Sequence, residues 1–276
     1  MEIKRSVHPE HAKEFNSEEL RNKFLMNNLF HPNELNLVYS HIDRIIVGGV
    51  TPLESTLALE AGKEIGADFF LERRELGLIN VGGEGSIRVN GQSYDLGSRD
   101  GLYIGKGAEE IEFSSADSEN PAKFYLNSAP AHKHYPTVEV SLDKANKLEL
   151  GSLRNSNKRT IYQYVHPEIL DSCQLVMGLT MLETNNVWNT MPTHTHDRRM
   201  EVYFYLDVPE NDVVFHLIGE PDETRHIVVR NEEAVMMPSW SIHSGVGTSN
   251  YSFIWGVVGE NQEFDDMDDV AMRELK

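Results

Sequence analysis

The chain of 276 residues is 39% hydrophobic and 25% charged, which indicates a soluble globular protein of one large or two ordinary domains. Its 44 acidic and 25 basic residues give a formal net charge of −19, and this excludes the broad basic surface with which nucleic-acid-binding proteins neutralise phosphates. The single cysteine, Cys173, excludes an intramolecular disulfide and a cysteine-based zinc site.

Composition also bears on the compartment. The first residues contain no apolar run of signal-peptide length, and no stretch approaches the roughly 20 apolar residues of a membrane helix. A single cysteine fits a reducing compartment. We therefore expect a cytoplasmic protein with neither nucleic acid nor membrane as a partner.

The first predicted element is a helix over residues 9–30. Leu20, Phe24 and Phe30 recur at near-helical spacing, and Ser17 is placed to cap the start. The pattern predicts one N-terminal helix.

Beyond this helix the chain changes to short apolar runs broken by Gly, Pro and Asn, which predict strands and hairpins. The Asn90–Gly91 pair is a strong signal for a two-residue hairpin turn. A polar connector over about 135–157 separates this block from a second strand-rich block that begins near Cys173 and ends near Val258. Strands that recur every 8–12 residues or so predict β-sandwiches or barrels.

The two strand-rich blocks resemble each other. Each has an acidic residue and two arginines just before an apolar strand. We interpret them as two copies of one β-barrel, over 1–140 and 141–276; chance similarity between hairpins is the alternative. The first copy has Phe69 and Leu71 where the second has His194 and His196, so only the second copy offers metal ligands.

The second block carries a candidate metal site. His194 and His196 point the same way on a strand, whereas Glu201 follows at a spacing that requires a turn in between. His243, after Pro238, offers a fourth ligand. Three imidazoles and one carboxylate leave open positions on a divalent ion, which is typical of catalytic rather than structural sites.

A second group, His132, His134 and Glu139, has the same spacing. Pro136 interrupts the strand that would carry the carboxylate, so we interpret this segment as a solvated loop. The remaining histidines, His216 among them, are scattered along the chain and are interpreted as structural.

At these ligands the sequence resembles the cupin superfamily. His194, His196 and Glu201 match its first motif, and Pro238 and His243 match its second, although Trp240 stands where that motif usually has glycine. Longer segments spread over nearly the whole chain, such as FLERRELGLIN, WNTMPTHTHDRRMEVYFY and PSWSIHSGVGT, resemble the family of 5-keto-4-deoxyuronate isomerases.

This resemblance implies a mainly β fold of two cupin-like β-barrels, a bicupin, with an N-terminal helix and short flanking helices. It implies one divalent metal ion per subunit, of the zinc type, and a homo-hexamer. The implied activity is an aldose–ketose isomerisation of 5-dehydro-4-deoxy-D-glucuronate to 3-deoxy-D-glycero-2,5-hexodiulosonate, in the breakdown of pectin-derived uronates. His/Glu ligands also suit Mn, Fe, Co or Ni, so the residues leave the metal open.

Such an isomerase needs proton transfer at two carbons and a cation for the substrate carboxylate. Strand alternation places Tyr203 and Tyr205 on the same face as Glu201, which makes them candidates for acid/base or hydrogen-bonding roles. The candidates for binding the carboxylate are Arg198, Arg199, Arg225 and Lys106.

Two other functions use the same ligands. One is a cupin dioxygenase with iron and O₂ at the open position. The other is a non-catalytic sugar-acid-binding cupin. The bare motif does not separate the three, and only the long resemblance favours the isomerase.

Overall fold

The computed structural model describes residues 1–276 and is mainly β. Its helices are short: α1 spans Pro9–Ala12, α2 spans Ser17–Phe24, and two 3-10 turns span Leu153–Asn155 and Met272–Glu274. None of the helices has the length and apolar content that a bilayer crossing requires.

The predicted single helix over 9–30 was wrong in extent. Asn16, not Ser17, caps α2, through a capping box with Glu19. The helix ends at Phe24, because Leu25 and Met26 form a strand that pairs with Val235 and Ala234.

Contact within the chain divides it into two compact units. The first comprises Met1–Lys4, Asn28–Ala145 and Tyr164–Val176, and the second comprises Arg5–Asn27, Asn146–Gln163 and Met177–Lys276. The linear division at residue 140 stays a prediction, and the structure adds that residues 5–27 pack within the second unit.

The first unit is a barrel of a larger and a smaller sheet. The larger sheet has the order β1-β3-β4-β11-β6-β9-β12, and the smaller has the order β5-β10-β7-β8. The strands are β1 Glu2–Lys4, β3 Glu34–Ser40, β4 Ile46–Thr51, β5 Leu57–Ala58, β6 Arg74–Asn80, β7 Gly85–Val89, β8 Gln92–Leu96, β9 Gly101–Ile104, β10 Ile111–Ser115, β11 Phe124–Pro130 and β12 Val138–Val140. The turn between β7 and β8 is the predicted one, with Asn90 and Gly91 both at positive φ.

The second unit repeats this plan. Its larger sheet has the order β13-β14-β15-β23-β18-β21-β2, and its smaller has the order β16-β22-β19-β20, while β17 pairs with β24. The strands are β2 Leu25–Met26, β13 Asn146–Leu150, β14 Arg159–Val165, β15 Val176–Leu182, β16 Trp188–Asn189, β17 His194–Thr195, β18 Arg199–Leu206, β19 Val214–Glu220, β20 Glu223–Val229, β21 Ala234–Met237, β22 Ser244–Gly247, β23 Ser252–Gly259 and β24 Asp268–Asp269.

The register identifies matching positions in the two barrels. Leu76 on β6 pairs with Ile104 at the end of β9, and Glu201 on β18 pairs with Met237 at the end of β21. Both β6 and β18 are also flanked on their other side by an antiparallel strand, β11 and β23 respectively. Leu76 is therefore the counterpart of Glu201, and the two-copy interpretation of the sequence is confirmed.

The fill of the first barrel is apolar. Leu71, Leu76, Leu78, Ile104 and Phe113 are all buried in one hydrophobic cluster. Such a core stabilises the fold through the hydrophobic effect but offers no polar group to a ligand.

Candidate metal centre

The second barrel gathers four potential metal ligands in its interior. His194 lies on β17, and His196 is the first residue after that strand. Glu201 lies on β18, and His243 directly precedes β22. All four are buried, and one ligand atom from each lies within 4.8 Å of the others. The turn predicted between His196 and Glu201 is present at Asp197 and Arg198, so β18 enters in a new direction with Glu201 facing inward.

The separations of these atoms fit a single small cation. Nε2 of His194 lies 3.1 Å from Nε2 of His196 and 3.0 Å from Nε2 of His243. Oε2 of Glu201 lies 3.1 Å from Nε2 of His196 and 3.0 Å from Nε2 of His243. Ligands bound at about 2.0–2.2 Å by one tetrahedral ion lie roughly 3.3–3.6 Å apart, so small outward shifts of the four side chains would fit them to a divalent metal.

The environment keeps His194 and Glu201 in their metal-binding protonation states. Burial, together with the neighbouring His243 and His196, lowers the pKa of His194 to about 2, so the ring is neutral at pH 7. Burial by itself raises the pKa of Glu201, but His243 and His196 beside it hold that pKa well below its usual range. A neutral imidazole and an ionised carboxylate are the forms that bind metal.

Backbone contacts hold the ligands in place. Nδ1 of His196 lies 2.7 Å from the carbonyl oxygen of Asp266, which only accepts, so the ring proton is on Nδ1 and Nε2 is left free as a ligand atom. The Thr193 hydroxyl donates to the carbonyl oxygen of His243 at 3.1 Å, and β17 pairs with β24 through His194 and Asp269. Two acidic residues near the C-terminus, Asp266 and Asp269, are thus packed beside the site through their backbones.

Two of the predicted carboxylate-binding residues, Arg198 and Arg199, have protein partners in this region. Arg198 forms ion pairs with Asp266 and Asp268, and the buried Arg199 donates to the carbonyl oxygens of Glu263 at 2.7 Å and Asp266 at 3.1 Å. Both arginines therefore order the segment that presents the Asp266 carbonyl to His196.

The other two candidates lie elsewhere. Arg225 on β20 forms an ion pair with Glu223 and donates to the carbonyl oxygen of Lys13, and Lys106 belongs to the first unit. The structure brings none of these four cations into the ligand cluster, and their role in substrate binding stays a prediction.

Tyr203 and Tyr205 lie inside the barrel on the same face as Glu201, as strand alternation predicted. The ring of Tyr203 lies 5.5 Å from that of His243, and its hydroxyl is 2.8 Å from Oγ1 of Thr190. The Tyr205 hydroxyl is 2.7 Å from Nδ1 of His216. Burial raises the pKa of both phenols, so both keep their protons at neutral pH.

The second His-x-His segment differs in every respect that matters for a metal. His132, His134 and Glu139 are exposed, and Nδ1 of His134 is hydrogen-bonded to the carbonyl oxygen of Lys106. His132 and His134 lie in an exposed loop, as predicted, whereas Glu139 lies on β12 and pairs with Leu102.

Sequence reasoning missed several polar residues of the second barrel. Asn189 and His216 are completely buried. Arg159 on β14 is half-buried, and its pKa is lowered by burial but raised in part by the phenols of Tyr203 and Tyr251 nearby. Their contacts join strands far apart in the sequence, so no local spacing signals them; only the polar character of Asn189 and His216 amid apolar strand residues was visible.

A repeated barrel with a His₃Glu cluster in one interior defines a cupin-like protein. Solved structures share this fold. An IolB-like protein from Salmonella typhimurium matches with a TM-score of 0.68 at 12% identity, covering 87% of this chain and 94% of that one. A mutant of the Bacillus subtilis oxalate decarboxylase matches with a TM-score of 0.57 at 10% identity, covering 84% and 72%.

The chain belongs to the KduI/IolB family, whose model matches residues 24–275. Two curated relatives are each 56% identical to it over the full length of both chains. One is from Caldicellulosiruptor bescii and the other from Escherichia coli strain SE11, and both are named 4-deoxy-L-threo-5-hexosulose-uronate ketol-isomerase.

Proposed function

We propose that the chain is a ketol-isomerase that converts 4-deoxy-L-threo-5-hexosulose uronate, also called 5-dehydro-4-deoxy-D-glucuronate, to 3-deoxy-D-glycero-2,5-hexodiulosonate. The observation that carries the proposal is the set of four buried ligand atoms 3.0–3.1 Å from their neighbours, in a chain that is similar over its full length to proteins of that name. His194, His196, Glu201 and His243 would hold one divalent ion, which we propose to be Zn²⁺.

The reaction moves the carbonyl group from C1 to C2 without an external oxidant. A proton leaves C2, a proton arrives at C1, and negative charge develops on the substrate oxygens in between. A divalent ion at this site would supply the positive charge that stabilises these oxygens. Since C1 is reduced as C2 is oxidised, a redox-inert ion suffices.

Tyr203 is the protein group best placed to hold a proton near the substrate. Its ring lies against His243, and burial, with the Glu201 carboxylate adding to it, raises its pKa well above the usual value. It therefore acts as a hydrogen-bond donor to a substrate oxygen rather than as the base that removes the C2 proton. Thr190, 2.8 Å away, orients this hydroxyl.

We further infer a role in the breakdown of pectin-derived uronates, a cytoplasmic location and a homo-hexameric assembly. These parts rest on the family resemblance. Light scattering of the purified protein tests the assembly, and elemental analysis tests the metal.

The decisive experiment measures turnover of 5-dehydro-4-deoxy-D-glucuronate, together with metal content, for the wild type, His243→Ala and His132→Ala. We expect His243→Ala to lose the metal and at least about 100-fold in kcat/KM, because one of the four ligands is missing. His132→Ala is the matched control from the exposed histidine pair and should behave like the wild type. Turnover should continue without O₂, whereas a dioxygenase would stop.

Full activity and metal content in His243→Ala would contradict the four-ligand site. A wild-type protein loaded with metal that does not isomerise this substrate would contradict the function itself.

A further inference from the structure

Three neighbouring strands of the smaller sheet place Asn189, Gly245 and His216 side by side in the second barrel. Asn189 on β16 and His216 on β19 are both register partners of Gly245 on β22. Partners across neighbouring strands point to the same face of a sheet. Along β19, His216 is buried and Phe215 is exposed, so this face is the interior. The polar side chains of Asn189 and His216 therefore enter the barrel on either side of Gly245, which has no side chain.

The hydroxyl of Tyr205 occupies the gap above Gly245. A Cβ at position 245 would lie 2.9 Å from Oη of Tyr205 and 3.0 Å from Nδ2 of Asn189. Oη of Tyr205 is 2.7 Å from Nδ1 of His216 and is also hydrogen-bonded by the side chain of Asn189. Nδ2 of Asn189 donates to Oη of Tyr251 at 2.9 Å as well. Glycine is required here because a side chain would displace this network.

The protons of the network have one consistent arrangement. Burial lowers the pKa of His216 to about 3, so its ring is neutral and carries one N–H. Burial raises the pKa of Tyr205, whose hydroxyl therefore keeps its proton. Since the amide nitrogen of Asn189 only donates, Tyr205 accepts from it and donates its own proton to Nδ1 of His216. The ring proton of His216 is then on Nε2.

Two polar atoms of this network have no partner. They are Nε2 of His216 and Oδ1 of Asn189, on side chains that are 0% exposed. Unpaired buried polar atoms cost free energy and are rare in folded proteins, which points to a group that binds them. One donor and one acceptor together suit a hydroxyl group, which accepts and donates at once.

We propose that Nε2 of His216 and Oδ1 of Asn189 bind the one substrate hydroxyl that the reaction leaves unchanged, the hydroxyl on C3. This inference rests on the proposed function: in that substrate C1 and C2 react, C4 carries no hydroxyl, C5 is a carbonyl and C6 a carboxylate. The position agrees, because the ring of Tyr203 lies 5.8 Å from that of His216 and 5.5 Å from that of His243. Tyr203 is therefore a common neighbour of His216 in this pair and of His243 in the ligand cluster.

Two substitutions at His216 separate substrate binding from support of Tyr205. Asparagine places an oxygen near the position of Nδ1 and keeps the acceptor for Tyr205, but it removes Nε2. Glutamine places an amide nitrogen near Nε2 and removes the acceptor. We expect His216→Asn to raise KM about tenfold, because one hydrogen bond to the substrate is lost, and to keep its normal metal content. The KM of His216→Gln should stay closer to that of the wild type. If His216→Gln raised KM more than His216→Asn does, His216 would only hold Tyr205 in place, and the proposal would be overturned.

The substrate supplies a test that needs no variant. The wild type should use the 3-deoxy analogue of 5-dehydro-4-deoxy-D-glucuronate about tenfold less efficiently in kcat/KM. In His216→Asn the same deletion should cost less than it costs the wild type, because one of the two contacts of that hydroxyl is already lost. If the wild type turns over both substrates equally well, only this proposal falls. If it turns over neither, the proposed function falls, and this proposal with it.

Discussion

The two barrels of this chain share a strand order but differ in what fills them. Leu76 and Glu201 occupy matching positions, beside Ile104 and Met237 at the ends of equivalent strands. In the first barrel the position belongs to an apolar cluster, and in the second it supplies a carboxylate to a polar interior. The fold thus accommodates either an apolar or a polar barrel interior. The site depends on a few positions at which a metal-binding side chain replaces an apolar one.

Buried carboxylates sharpen the contrast. Glu75 in the first unit is fully buried, and it accepts from the Tyr103 hydroxyl and from the backbone amides of Cys173, Gln174 and Leu175. The carboxylate of Glu201, by contrast, has imidazole nitrogens of His196 and His243 as its partners. A carboxylate saturated by backbone donors is a structural element, whereas one surrounded by histidines is prepared for a cation.

Leu76→Ala should have the largest effect of these variants, and the effect should be on the stability of the protein. Removing a fully buried leucine side chain leaves a cavity, so we expect the free energy of unfolding to fall by about 2–5 kcal/mol. Guanidinium unfolding measures the loss, and kcat/KM per folded molecule should not change. Glu201→Ala is the matched variant and should abolish metal binding. A change in metal affinity in Leu76→Ala would show that the first barrel supports the site directly.

His216 should make stability depend on pH. In the unfolded chain its pKa is about 6.5, and in the folded protein burial lowers it to about 3. The unfolded state therefore binds a proton that the folded state does not, and stability falls as pH drops from about 6.5 toward 3. Between pH 7 and pH 5 the wild type should lose ~2 kcal/mol more than His216→Asn does.

Urea unfolding at the two pH values, with both proteins metal-free, measures this difference. Comparing the two proteins isolates the contribution of His216, because the rest of the chain is identical. Identical losses would show that His216 is not held in its neutral form by burial.

Arg74 and Arg199 occupy equivalent positions at the starts of β6 and β18, and their substitution should have the smallest effects of the variants considered. Arg74 donates to the carbonyl oxygens of Arg44 and Ser128, whereas Arg199 donates to those of Glu263 and Asp266 beside His196. We expect Arg199→Gln to weaken metal affinity about tenfold, because the contact that orients His196 loosens. Arg198 still holds the Asp266 carboxylate, which keeps the loss small. Competition with a chelator measures the affinity.

Arg74→Gln is the matched control. It removes hydrogen bonds of the same kind from the first barrel and should leave metal affinity unchanged. Equal losses in both variants would mean that Arg199 acts through general stability rather than through His196.

The sequence by itself determined the fold class, the repeat and the candidate ligands. Strand-length apolar runs, turn signals such as Asn90–Gly91 and the matching acid-Arg-Arg steps are local patterns, and local patterns survive without three-dimensional contacts. The spacing of His194, His196 and Glu201 was sufficient to nominate them. Spacing alone did not decide between this group and His132, His134 and Glu139; the presence of Pro136 in the second group was the deciding signal.

Only the tertiary structure brought His243 to within 3.0 Å of His194 and Glu201, since the chain between them forms most of a barrel. Sheet register alone aligned Asn189 and His216 across Gly245 and turned a histidine interpreted as structural into a candidate for binding substrate. Arg198 and Arg199, two of the residues predicted to bind the substrate carboxylate, contact the C-terminal segment, and no spacing in the sequence signals that contact. These roles depend on which polar atoms are left unpaired after folding, and that is a property of packing between distant strands rather than of spacing along the chain.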